Sequence, residues 1–205
     1  DGVPAMAYFA MGMTENGNGL YGWYSGDNVR YLTEAGMDSQ KAASAAGDFV
    51  SERARFFVTH PKSLLKFYGI KFLSQWADPT KVSLREQELT GLHQEGVQPQ
   101  FAQTMIYGSG YHLMQGVMHA FHLLLYFFAF FGLRSYVRGK RTISEAQILL
   151  PLFIFGGMLF HELWEASGRY ALRYELALLP FAAMGMVSMF SGKLLFGKNK
   201  ETGKQ

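Results

Sequence analysis

The sequence predicts a mainly α-helical, polytopic membrane protein. About three transmembrane helices fill the second half, and an extracytoplasmic region of helices and loops precedes them. Three observations predict this. Apolar runs near 112–133, 146–163 and 172–192 each approach the roughly 20 residues needed to cross a bilayer. Charge divides unevenly: the first 103 residues carry nine basic and eleven acidic side chains, the remainder ten basic and five acidic. The basic excess also gathers at the ends of the apolar runs, as membrane topology requires. A nucleic-acid-binding chain would spread its positive charge over one face of a soluble domain, so nucleic acid is not an expected partner.

Residues 1–37 are rich in glycine and aromatic residues, with turn signals at Asn16-Gly17 and Asn18-Gly19. They read as a loop-rich segment with one short helix near its start. Asp38 or Ser39 caps a helix running to about Thr59, in which Ala42, Ala45, Ala46, Phe49, Val50, Phe56 and Phe57 recur at helical spacing. His60-Pro61 interrupts the chain, and Pro61 suits the first position of a second helix reaching about Trp76. Lys62, Lys66 and Lys71 make that helix too charged to span. It fits either the membrane interface, its lysines near headgroups, or the core of a soluble layer. Residues 77–103 read as a polar loop.

Arg134, Arg138, Lys140 and Arg141 follow the first span, and Lys193, Lys198, Lys200 and Lys204 follow the third. Both groups belong in the cytoplasm by the positive-inside rule. Residues 1–103 and the turn near 161–173 then lie outside, 104–192 form the membrane region, and 193–205 form a basic cytoplasmic tail. Trp164, Tyr170 and Tyr174 are expected to form an outer aromatic belt. The chain contains no cysteine, which excludes disulfides and thiolate chemistry. It begins at Asp1 with no signal-peptide pattern, so a fragment of a longer chain is expected.

The outer turn concentrates the candidate chemistry: His161-Glu162-Leu163-Trp164-Glu165-Ala166-Ser167-Gly168-Arg169-Tyr170, then Arg173 and Glu175. Gly168 reads as a helix C-cap. Two guanidiniums at the outer surface could grip a phosphate through forked hydrogen bonds that lysine cannot copy. The competing reading pairs Arg169 and Arg173 with Glu165, Glu162 or Glu175. His161-Glu162 opens like a zinc-protease motif, but Glu165 occupies the place of the second histidine, and that reading is rejected. On the first span His112, Gln115, His119 and His122 fall within about a quarter-turn. They should face protein or a wet cavity. His119 and His122 are close enough to share a metal, but histidines satisfied within a bundle explain the stripe, and no metal is assigned.

The outer turn also resembles the H-L-L-W-E-A-K-S-R-Y turn of bacterial GT-C membrane glycosyltransferases, the dolichyl-phosphate-mannose protein mannosyltransferase-like group. Ala10-Met11-Gly12-Met13, then Gly22-Trp23-Tyr24-Ser25-Gly26-Asp27-Asn28, is similar to the A-M-G-M … G-W-Y-N-G-Y-N stretch of Gram-positive members. Gln75-Trp76-Ala77-Asp78-Pro79-Thr80 resembles their Q-W-x-[DE]-P-T, and the matches follow the family's order. Departures are Gly168 for serine, Glu162 for an apolar residue and Ser25 for asparagine. The resemblance implies sugar transfer from a polyprenyl-phosphate donor to a cell-envelope acceptor, outside a bacterial cell membrane crossed several times. It makes Arg169 and Tyr170 the donor-phosphate candidates, joined by Arg173 as the second guanidinium of the turn, with His161, Trp164, Glu165, Trp23, Tyr24, Asp27 and Asn28 in support. The family's acceptor-activating carboxylate lies in the first external loop, which would be upstream, so no catalytic residue is assigned. No cofactor is expected beyond the lipid-linked sugar as substrate. Two other readings stand beside this one: a non-catalytic membrane module, such as a transporter or channel subunit using the histidine stripe, and a partial gene product without activity.

Overall fold

Side-chain spacing and turn residues set the order of elements in a computed structural model, which describes residues 2–15, 20–80, 100–106, 108–138 and 145–191. The turns at 16–19, most of the loop 77–103, and the basic groups at 140–141 and 193–204 lie outside the described residues. The protein is mainly helical, with no strand among the described residues. The helices are α1 (Ala5–Gly12), α2 (Asp27–Glu34), α3 (Ser39–Thr59), α4 (Pro61–Trp76), α5 (Gln100–Ile106), α6 (Gly110–Arg138), α7 (Glu145–Leu163) and α8 (Gly168–Phe190).

Helices α1 to α4 form the first half. Asp38 caps α3, its carboxylate accepting from the Gln40 and Lys41 amides at 3.0 and 3.1 Å. Those two N–H groups hold the Asp38 carboxyl below its usual range, the Lys41 amide contributing most. Pro61 opens α4 as expected, since the missing N–H would have had no partner there. Buried Ala7, Ala10 and Ala46 let α1 lie close on α3. Between α3 and α4 the core is aromatic: Phe67 stacks on Tyr21 at 5.4 Å and tilts against Phe57 at 5.3 Å. Arg53 roofs this cluster, its guanidinium 4.6 Å from the Phe57 ring, while bonding the Met13 carbonyl and pairing with Glu15.

Two helices depart from the sequence reading. Within the expected loop-rich start, α2 forms as a second helix, entered through Gly26 at φ +84° and started by Asp27. Only Asn28 and Leu32 of α2 are buried, too few to register as a periodic stripe. The other is α5, whose helix begins at Gln100, inside the stretch read as loop through 103.

In the second half α6 and α8 pack backbone to backbone. A methyl group at Gly132 would lie 1.9 Å from the Phe181 carbonyl oxygen, and one at Gly185 would lie 1.9 Å from that of Phe128. Ala129 and Ala182 are buried in the same seam with Leu178 and Phe181. Such small-residue seams hold helices together where lipid removes the hydrophobic drive. Helix α7 leans on α8 through Gly157, whose missing side chain is replaced by the Tyr174 ring.

Among the described residues one helix, α6, is long and apolar enough to cross a membrane; its best stretch has a mean hydropathy of 1.7 yet is only 11% buried. A helix so apolar and so exposed is not the core of a soluble layer. The apolar stretch of α7 is shorter, at Ile148–Leu163. In α8, Arg169, Arg173 and Glu175 interrupt the first eight residues. By length and composition, then, one span is seen where three were expected.

Candidate functional site

The turn of residues 164–167 joins the end of α7 to the start of α8, and the end of α1, the Gly22–Trp23 backbone and the Lys71 side chain converge on it. Lys71 of α4 is fully buried. Its ammonium donates to the carbonyls of Gly12 (2.7 Å), Glu162 (2.8 Å) and Trp164 (2.7 Å). These oxygens come from helix ends, where carbonyls lack intrahelical partners. Burial pushes the Lys71 pKa down to about 8, with Glu162 opposing the shift. The sequence reading that placed Lys71 among headgroup-facing lysines is therefore corrected. A signal was available: Phe67, Lys71 and Gln75 recur every four residues, and all three are buried.

Close approach is possible only because two glycines flank the lysine. A methyl group at Gly12 would sit 2.6 Å from the Trp164 oxygen. One at Gly22 would sit 2.5 Å from the Gly12 oxygen and 2.7 Å from the Lys71 side chain, at φ +67°. The Gly22 carbonyl accepts the Ala166 amide at 2.8 Å, and Trp23 bridges Ala166 in parallel. The indole N–H of Trp23 donates to Ser74 at 2.8 Å. Gly22→Ala is expected to cost about 2 kcal/mol or more, combining strain and overlap. Gly26→Ala has open space around it and should cost only the left-handed penalty of about 1 kcal/mol. Thermal unfolding of the two variants in detergent measures the difference.

Around this joint the expected site residues sort themselves. Tyr170 and Glu165 are bonded, the phenol donating to the carboxylate. His161 stacks on the Tyr170 ring at 5.1 Å and its Nδ1 lies 3.2 Å from the Glu165 carbonyl. The guanidiniums of Arg169 and Arg173 lie 5.8 and 5.7 Å from the Tyr170 centroid, and both residues are exposed. The Tyr170 hydroxyl thus donates its proton to Glu165, and its ring lies beside both guanidiniums.

Trp164 is held between Tyr8 (5.2 Å) and Phe160 (5.5 Å). Tyr174 is buried against Trp76 at 5.5 Å, in the core and not in an aromatic belt. Gly168 starts α8 and caps no C-terminus. Trp23 joins the turn, but Tyr24 is exposed, and Asp27 makes local contacts with Ser25 (2.8 Å) and Arg30 (3.0 Å). Asn28 is buried under α2.

The histidine stripe divides. His112 and His119 are exposed, whereas His122 lies 3.7 Å from the Glu175 carboxylate. Tyr126 donates to the same oxygen at 3.1 Å. No group of three or more metal-binding side chains occurs among the described residues. Neither a protein-family model, nor a curated protein, nor a solved structure matches the chain.

Proposed function

We propose that this chain is the carboxy-terminal part of a multi-pass bacterial glycosyltransferase of the GT-C type. It takes sugar from a polyprenyl-phosphate donor and passes it to a cell-envelope acceptor on the outer membrane face. In this reading α6, α7 and α8 are three spans, and the carboxylate that activates the acceptor belongs to a segment outside this chain. One observation carries the proposal. Three segments that resemble the family, Ala10–Met13, Gly22–Asn28 and the outer turn, are far apart in sequence yet meet around Lys71 and Trp23, while Trp76 of Gln75–Thr80 packs on Tyr174, four residues beyond the turn. At that meeting point two exposed guanidiniums flank the first turn of α8. Helix amide groups and arginine forks together favour a phosphate.

Arg169→Lys is the direct experiment, assayed as donor turnover in purified, membrane-inserted protein. Lysine keeps the charge but loses the fork, so donor efficiency should fall by roughly tenfold to a hundredfold, the worth of about 1.5–3 kcal/mol. Glu165→Gln keeps an acceptor for Tyr170 and should be milder. Near-normal kinetics in Arg169→Lys would remove the phosphate assignment.

Topology is checked separately. A cysteine at exposed Ser44 should react with an impermeant reagent on intact cells, and one at Arg138 should not. Reversal of that pattern would remove the outward placement of the arginines. The trio His122, Tyr126 and Glu175 favours the alternative of a transport module, since ionisable residues at membrane depth commonly line pathways. Under the glycosyltransferase reading, Glu175→Gln leaves donor turnover within a few-fold of the parent.

A further inference from the structure

Among the described residues one face of α4 has no partner. Lys62, Leu65, Lys66, Gly69, Phe72 and Leu73 are exposed and fall on one helical stripe. Leu65 is 74% and Leu73 61% exposed. Neighbouring elements say what covers this face. Phe72 and Leu73 line an apolar groove of about 400 Å³ together with His119 and Leu123 of α6, so the stripe runs continuously into the exposed apolar surface of the spanning helix. Depth agrees. The Trp76 carbonyl accepts from Tyr126, whose hydroxyl also bonds Glu175. Glu175 lies six residues, about 9 Å, further along α8 than Arg169. The last turn of α4 therefore sits below the level of Arg169, beside the surface of α6 that faces lipid. Exposed leucine and phenylalanine at that level meet acyl chains. About two and three turns earlier, Lys66 and Lys62 are placed to stretch their stems along the same surface and leave their ammonium groups at headgroup phosphates.

We infer that α4 is an interfacial helix, which seats Leu65, Phe72 and Leu73 in the outer leaflet of the bilayer and holds anionic lipid through Lys62 and Lys66. The inference rests on the membrane reading above, and the experiment separates the two. The chain contains no cysteine, so single nitroxide labels go without interference at Leu65→Cys, Leu73→Cys, Glu52→Cys and Leu124→Cys. The protein is reconstituted in phosphatidylcholine bilayers with and without phosphatidylglycerol. Spin relaxation by oxygen, which enters lipid, is compared with relaxation by a water-soluble nickel chelate.

Labels at 65, 73 and 124 should favour oxygen several-fold, and the label at 52 should favour the chelate. Lys62→Glu with Lys66→Glu should shift the label at 65 toward the chelate only in bilayers containing phosphatidylglycerol. A lipid signature at 124 with a water signature at 65 and 73 overturns the interfacial helix and leaves the membrane reading standing. Labels at 65 and 73 shielded from both reagents mean that protein covers the face, which overturns it equally. A water signature at 124 overturns both. Should a label disturb folding, Leu65→Trp quenched by brominated lipid gives the same reading: quenching supports the inference and its absence removes it. None of these measurements needs donor or turnover.

Discussion

Lys71→Met is expected to lower the stability of the detergent-solubilised protein by about 3 kcal/mol or more, because buried acceptors left without donors cost about 1–3 kcal/mol each. Three carbonyls, of Gly12, Glu162 and Trp164, would lose their donor together. Methionine nearly matches the stem in volume, so the loss reports hydrogen bonding and not a cavity. Thermal unfolding should show a fall of about 10 °C. Lys71→Arg should not rescue it, since a planar guanidinium cannot enter the space that Gly12 and Gly22 leave for a tapered ammonium.

The same residue gives a pH signature. Its pKa is 10.5 in the unfolded chain and about 8 when folded. Between these values the unfolded state holds a proton that the folded state has released. The stability of the parent protein should therefore rise with pH from about 8 to about 10.5 relative to Lys71→Met. A parallel pH profile in parent and variant would show that Lys71 is not buried as a charged group.

Gly132→Leu is expected to have the other large effect, forcing α6 and α8 apart. Its side chain would start 1.9 Å from a backbone oxygen of α8, and Gly185→Leu would meet α6 in the same way. Overpacking of a flexible core costs about 1–3 kcal/mol, and backbone atoms on the far side cannot rotate out of the way. Each single change should reach the top of that range. The double change should cost little more than either one, because the two glycines serve a single contact. Gly116→Leu and Gly156→Leu, where nothing lies within 4 Å, should be nearly silent. Thermal unfolding in detergent distinguishes the pairs, and equal effects at all four positions would mean that the seam is not the joint.

Much of the helical framework was legible because local rules and tertiary packing agree there. Asp38 caps α3 and His60-Pro61 divides α3 from α4, both local events that the surrounding sequence determines. The helix α2 was not legible: its left-handed entry at Gly26 and single buried turn leave no periodicity to read. Residue identities at the outer turn singled out Arg169, Tyr170 and Arg173, but not the bond between Tyr170 and Glu165, which depends on how α7 meets α8. Gly168 illustrates the same limit. A glycine in a turn fits a helix end or a helix start, and only the packing of Ala166 against Gly22 decides between them. Tyr174 went to the core because Gly157, on another helix, makes room for its ring.

The joint at Lys71 also bears on how freely this protein can drift in sequence. Its acceptors are carbonyls, which every amino acid supplies, and the Gly22–Ala166 link is likewise amide to carbonyl. Identity matters at one lysine and at two positions too crowded for a side chain. An exposed position beside the turn, such as Leu163, exchanges residues without touching that connection, provided the backbone path is kept. Exposed side chains there can change while the scaffold beneath them stays fixed.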